Sequence, residues 1–328
     1  MKKFSLFTIL LSVGIIPISA NGAGFNKSTL TIFDSIQHVD TAFLTLLIPL
    51  DVHGIECVRI DDECALPRQR LIFDANIFGG VSNLDSGGDT DFYTMRKGMS
   101  IGVKGFINDN MAIGLQFIRG ITDVKDSIEY DHAATSSVTM IAEYISHIGL
   151  FINGGINLGN THWSGNGPVT GAFDNGFFAG QVVGGIKLND KATLIMPQIG
   201  LRYLHMTPDK YTDMTYNRFD SWSHGILTGI IGIHSTTRLT HNVFSIAPDM
   251  SIGATYDFVN HGDESILIRP TSAPDYYMSI ITPDSAAVYA GIGMNIAGPA
   301  FIIALNYRLD GRRNFMSHTT VLDFKISF

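Results

Sequence analysis

Apolar and polar residues alternate along most of this chain. Over residues 300–328, Phe301, Ile303, Leu305 and Tyr307 share one parity, and Ala304, Asn306 and Arg308 share the other. After a polar turn at 310–314, Leu322, Phe324, Ile326 and Phe328 alternate with Asp323, Lys325 and Ser327. A period of two sends successive side chains to opposite faces, which is a strand with one apolar and one polar side. The same division recurs upstream. Met99, Ile101 and Val103 oppose Arg96, Ser100 and Lys104, and Ile113, Leu115 and Phe117 oppose Ala112, Gly114 and Gln116. Leu150, Ile152, Ile156 and Leu158 oppose Asn153 and Asn157, while Ile195, Ile199, Leu201 and Tyr203 oppose Gln198, Gly200 and Arg202.

The pattern predicts twelve strands, at 68–79, 93–107, 111–122, 135–145, 149–159, 173–187, 192–206, 220–235, 242–258, 284–296, 300–309 and 316–328. The eighth and tenth are Gly- and Ile-rich on both parities. Short turns at 108–110, 146–148, 189–191, 236–241 and 297–299 alternate with polar loops at 80–92, 123–134, 160–172, 207–219, 259–283 and 310–315. Nothing in the chain is left over to cover the apolar faces, so lipid is their partner. Loops sorted by length onto two sides, with an even strand number, describe an outer-membrane barrel. The predicted fold class is therefore all-β, a twelve-stranded antiparallel transmembrane β-barrel over 68–328. Closure leaves no unpaired backbone in hydrocarbon. Tyr203, Tyr256, Tyr307 and Phe328 fall near strand ends, where aromatic girdles sit.

Two segments break the alternation. Residues 1–20 carry Lys2 and Lys3, then an apolar run to Ile18 and small residues at Ser19–Ala20, the layout of a secretory signal peptide cleaved after Ala20 or Ala23. In 28–47, Leu30, Phe33, Ile36, Phe43, Leu44 and Leu47 recur at spacings nearer three and four, predicting a helix. Its polar positions Asp34, Gln37, His38 and Asp40 suit a wet lumen. An ordinary amphipathic helix or a leader segment is the alternative. Residues 21–67 form this leader, and it ends in a linker containing Cys57 and Cys64, a short disulfide loop in an oxidising compartment.

Composition agrees with a barrel. The chain of 328 residues has 34 Gly, 16% charged and 45% hydrophobic residues, yet no stretch after residue 20 approaches the roughly 20 apolar residues of a membrane helix. A net charge of −8 argues against nucleic-acid binding. No metal or cofactor pattern occurs. Gly98-Met99-Ser100-Ile101-Gly102 matches the hydrolase motif G-x-S-x-G, which needs a strained strand-to-helix turn, but here it falls in mid-strand. His224, His234 and His241 are within reach of one another across an antiparallel hairpin, with polar filling near the periplasmic end as the simpler reading. The stretch 217–224 has the serine and histidine of outer-membrane phospholipases without their order or spacing. Arg96, Lys104, Glu143, Arg202, Arg308, Asp323 and Lys325 fall on the lumen parity as candidate lumen charges, with Asp34 and Asp40 of the leader as partners. The outer loops are acidic at Asp85, Asp89, Asp91, Asp123, Asp126, Glu129, Asp131, Asp263 and Glu264, and the longest, 259–283, holds Tyr276–Tyr277.

The stretches 98–120 (GMSIGVKGFINDNMAIGLQFIRG), 197–214 (PQIGLRYLHMTPDKYTDM) and the close of the chain from AAVYAGIGMNI onward give residues 68–328 a resemblance to the β-domain of autotransporters, the type V translocator barrel of Gram-negative bacteria. The resemblance implies a helix threaded through the pore and no enzymatic role. It also implies a C-terminal strand, with Phe324, Ile326 and Phe328 as the signal read by the outer-membrane assembly machinery. Implied partners are outer-membrane lipid and lipopolysaccharide, that machinery and periplasmic chaperones, around a monomeric barrel. Residues 21–67 contain no repeats and no room for a large passenger, and the family's asparagine pair for self-cleavage in the pore is absent. The expected function is display or export of an N-terminal segment. A small diffusion porin and a surface adhesin acting through the loops are the alternatives.

Overall fold

The structure, a computed structural model, describes residues 27–47, 71–84 and 92–328 apart from 109, 126–129, 166–170, 191, 214–215, 242–243, 263–264, 272, 280–281 and 299. The expected signal peptide, the Cys57–Cys64 loop and the acidic positions 85, 89, 91, 126, 129, 263 and 264 lie outside these residues.

Twelve long strands form one closed antiparallel barrel. They are β1 (Leu71–Leu84), β2 (Phe92–Asn108), β3 (Met111–Lys125), β4 (Tyr130–Ile145), β5 (Leu150–Gly165) and β6 (Phe173–Ile186). The ring continues with β7 (Thr193–Pro208), β8 (His224–Thr237), β9 (Phe244–Gly262), β10 (Ala286–Ala297), β11 (Phe301–Arg312) and β12 (Phe315–Ser327). Each pairs with its neighbours in sequence, and β12 returns to β1 in a register that sets Phe324 opposite Ala75 and Ser327 opposite Ile72. Closure is completed where the amide of Phe328 donates to the carbonyl of Leu71 at 3.0 Å. Leu188–Asp190 and Leu239–His241 are short extensions paired with the starts of β7 and β9.

The two faces sort as the alternation predicts. Met99, Ile101, Ile199 and Ile231 are more than half exposed on the outside, whereas Asn157 and Thr161 are fully buried within. Strand ends differ from the sequence reading. On the long-loop side β1 runs to Leu84 rather than 79, β5 to Gly165 rather than 159, β4 begins at Tyr130 rather than 135, and β11 continues to Arg312. Above the lipid band both faces meet water, so apolar alternation stops while the hydrogen-bonded ladder goes on. The loop expected at 310–315 shrinks to a turn in which Asn314 takes φ 61°, a conformation that asparagine tolerates. On the short side the turn expected at 236–241 is partly strand, because Leu239–His241 pairs with Phe244–Ile246 of β9.

The helix α1 spans Lys27–Leu47. Its 21 residues make a rod about 31 Å long, comparable to the barrel's hydrocarbon thickness. It lies inside the barrel. Leu30 and Phe33 pack with Leu84, Phe92, Trp163 and Phe315 at the long-loop end. Ala42 packs lower, with Phe78, Ile118 and Val321.

Two loops expected to be open are folded. Tyr211–Thr212, Arg218–Phe219, Ser265–Arg269 and Tyr276–Ser279 form a separate four-stranded sheet. Its inner residues Phe219, Ile266 and Ile268, with Trp222, are buried against Ile32 and Ile36 of α1. The sheet therefore caps the mouth over the helix.

Candidate functional site

The lumen is the site, and alternation builds its wall. Every second residue of each strand points inward, so the polar parity of the whole chain converges on the helix. Along α1 the wall contacts change sides with the helical turn. Gln37 Nε2 donates to Ser82 Oγ at 2.6 Å, Thr122 Oγ1 donates to Asp34 Oδ1 at 2.7 Å, and Asn175 Nδ2 donates to Ser35 Oγ at 3.1 Å. His38 Nε2 and Ser137 Oγ share a hydrogen bond of 2.7 Å. Asp40 is ion-paired with Arg202. These partners come from β1, β3, β4, β6 and β7, so these polar ties hold the helix along the β1–β7 side of the ring.

Apolar contacts fill the rest. Phe33 sits 4.6 Å from Phe315 and 6.0 Å from Phe92, ring centre to ring centre. His38 meets the edge of Phe177 at 5.3 Å. Leu30, Ile32 and Val39 are fully buried and Phe43 nearly so. Each such side chain contributes about 1.5–3 kcal/mol relative to its exposed state.

All seven charges predicted for the lumen face inward, in different groupings. Lys104 Nζ bonds Glu143 Oε1 at 2.7 Å, and Lys325 Nζ lies 2.5 Å from Asp323 Oδ2, both toward the short-turn end of the lumen. Arg202 takes Asp40. Arg308 is held by Asp310, with Nη2 at 2.6 Å from Oδ1, and lies over the Tyr289 ring at 4.3 Å. Arg96 stacks 5.4 Å from the Phe78 ring centre and is within electrostatic reach of Asp34 and Asp40. Sequence reasoning missed Arg312, which joins Asp257 at 2.6 Å, and Asp310, which it assigned to a loop. Their parity would have shown both, had β11 been carried further.

Other predicted features do not form sites. Ser100 is buried in mid-strand, where Asn76 Nδ2 and Gln116 Nε2 each donate to its Oγ at 2.9 Å, and no strand-to-helix turn lifts it. His224 and His234 occupy the same strand ten positions apart, roughly 33 Å along it. His224 is at the long-loop end, with Nε2 2.7 Å from Asn260 Oδ1, so these histidines do not converge. Asp123 meets Lys97 at 3.7 Å and His132 at 2.9 Å. Phe324 and Ile326 project outward, and Phe328, 69% exposed, meets the edge of Phe73.

Comparison with known proteins agrees with this geometry. A sequence model of the autotransporter beta-domain family matches residues 74–308. The fold is similar to the translocator domain of the autotransporter NalP from Neisseria meningitidis, with a TM-score of 0.70 and 13% identity over 92% of this chain and 99% of that one. It is also similar to the β-domain of the Bordetella autotransporter BrkA, with a TM-score of 0.61 and 13% identity over 79% and 100%. The transport unit of the autotransporter AIDA-I from Escherichia coli gives 0.55 and 11% over 85% and 96%. At these identities the likeness to solved structures is one of fold. Among curated protein sequences, none matches the chain.

Proposed function

The chain belongs to the autotransporter β-domain family, and from that premise we propose that it is a plugged translocator that places its N-terminal segment at the cell surface. Related β-domains are outer-membrane proteins of Gram-negative bacteria. The proposal includes export by the signal peptide of residues 1–20, its cleavage, and assembly directed by Phe324, Ile326 and Phe328. One observation carries the reading. The N-terminal part of α1, at Leu30 and Phe33, lies among the residues that flank the long loops, at Leu84, Phe92 and Phe315. Long loops face outward in such barrels. On this reading α1 begins at the outer mouth and descends through the lumen from there.

In this reading the lumen charges orient the helix. Asp34, Asp40 and His38 are costly to bury without partners, and the wall supplies partners at heights that match one helical register. A diffusion porin needs a continuous aqueous path, and α1 with its cap occupies that path. The test is an epitope inserted at residues 23–24, probed on intact cells. Antibody labelling without permeabilisation is expected. Labelling that appears only after the outer membrane is opened would overturn the orientation.

A further inference from the structure

The cap over the mouth has a second face. Its strands alternate like those of the barrel, so while Phe219, Ile266 and Ile268 turn down onto α1, Arg218, Leu267 and Arg269 turn away from the lumen. Arg218 stands directly opposite Arg269 across the ladder, and Leu267 stands opposite Tyr277. Like charges directly opposite weaken a strand pair, so the sheet carries a feature that its own folding does not favour. Arg269 is engaged on two sides, with Nη1 2.6 Å from Asp220 Oδ1 and Nε 3.7 Å from Asp275 Oδ2. Arg218 is exposed and has no carboxylate partner among the described residues.

Two exposed tyrosines flank this pair, Tyr216 at 72% and Tyr277 at 70%. Tyr216 holds φ 61°, a left-handed conformation uncommon for a bulky residue. The turn is locked around it. The Tyr216 amide donates to the Asp213 carbonyl at 3.1 Å, and Asn217 donates to the Asp213 carboxylate from its amide at 2.8 Å and from Nδ2 at 2.9 Å. Thr271 Oγ1, from the neighbouring loop, donates to the Tyr216 carbonyl at 2.9 Å. Backbone held in such a conformation by its surroundings clusters at ligand clamps. Along the strands the order is thus Tyr216, the arginine pair, then Tyr277.

We propose that the outer face of the cap is a binding site for an acidic oligosaccharide, with a sugar carboxylate on Arg218 and ring faces on Tyr216 and Tyr277. The size of the face decides against a protein partner. Four strands about 4.8 Å apart, the longest of 5 residues, present roughly 200 Å². A stable protein interface takes about 800 Å² from each partner, whereas a short run of sugar rings fits the smaller face. Guanidinium pairs with carboxylate through parallel hydrogen bonds, and tyrosine offers rigid, amphipathic contact with little entropy to lose. Asp220 and Asp275 hold Arg269 and present acceptors to sugar hydroxyls. The cap lies over α1 at the mouth and not on the barrel wall, so its ligand comes from beyond the cell's own lipid layer. Where the ligand is met rests on the orientation proposed above, but binding by the purified protein does not.

The test uses the full chain in mild detergent, titrated calorimetrically with a hyaluronan hexasaccharide and with a sialic acid hexamer. Saturable binding is expected, and the stronger of the two tells a uronic from a sialic acid ligand. Reducing the carboxylates of that oligosaccharide to alcohols is expected to weaken binding at least tenfold. Arg218→Gln is expected to weaken it to a similar degree. Tyr277→Ala and Tyr216→Asn should each weaken it severalfold, asparagine being tolerated in the left-handed turn, while Tyr277→Phe binds normally. Arg119→Gln, on the barrel wall, should change nothing. Resistance of 209–223 to brief protease treatment shows that the cap of each variant is folded. Absence of binding to both oligosaccharides, equal binding of the carboxyl-reduced form, or unchanged binding by Arg218→Gln would overturn the proposal. So would preferential capture of lipopolysaccharide or of a protein. Binding by the purified protein without binding by intact cells would leave the site standing and contradict the orientation instead.

Discussion

Asp40 of the lumen helix is ion-paired with Arg202 of β7, two residues 162 positions apart in the chain. Arg202 is almost fully buried and Asp40 only partly exposed, so the guanidinium in particular has little water to fall back on. Removing one partner of such a pair costs about 3–5 kcal/mol. Arg202→Glu is therefore expected to loosen the helix and let small sugars enter proteoliposomes in a swelling assay. The exchange of Asp40→Arg with Arg202→Asp should restore most of the seal. If Arg202→Glu vesicles stay as tight as those of the unaltered protein, the pair does not hold the plug.

Phe33 tests the apolar half of the same docking. It fills the space between Phe92 and Phe315 near the mouth, and truncating a buried phenylalanine costs about 3–5 kcal/mol. Phe33→Ala should lower the melting temperature of the plugged form, followed by tryptophan fluorescence, since Trp163 shares that cluster. Phe33→Leu should lose much less. Equal melting of all three forms would contradict the packing.

The cap and the helix form one packing unit. Phe219, Trp222, Ile266 and Ile268 are buried against Ile32 and Ile36, so deleting residues 24–50 uncovers them. Brief protease treatment should then cut within 209–223 or 263–285 at least tenfold faster, while the barrel strands stay intact. Unchanged cleavage would show that the cap folds independently of the plug.

Phe328 is expected to matter for assembly more than for the finished barrel. Its side chain is largely exposed, and its backbone donates to Leu71 whichever residue stands there. Phe328→Ser should reduce the amount reaching the outer membrane severalfold while leaving the thermal stability of the inserted fraction within about 0.5 kcal/mol, as for other surface substitutions. Normal insertion of the variant would remove Phe328 from the assembly signal.

The barrel was legible because a wall with lipid on one side and a wet lumen on the other imposes a strict period of two. Leu115 with Gln116, or Leu201 with Arg202, shows it directly. Near Asp123, Asp131 or Asp310 both faces are wet, the alternation lapses, and strand ends could not be read. The helix stood out by its spacing of Leu30, Phe33 and Ile36. The cap did not, although Ile266 and Ile268 alternate with Leu267 and Arg269, because pieces of two to five residues carry too little pattern to register. The charges of the lumen could be named from parity alone. Their pairing could not, since Asp40 meets Arg202 only after the ring has closed around the helix.

Single-channel conductance of the refolded protein, intact and with residues 24–50 deleted, tests most directly whether α1 seals this barrel. The intact protein should insert and stay closed, and the deleted form should conduct. Steady conduction by the intact protein, equal to that of the deleted form, would contradict the plugged lumen and leave an open diffusion porin in its place.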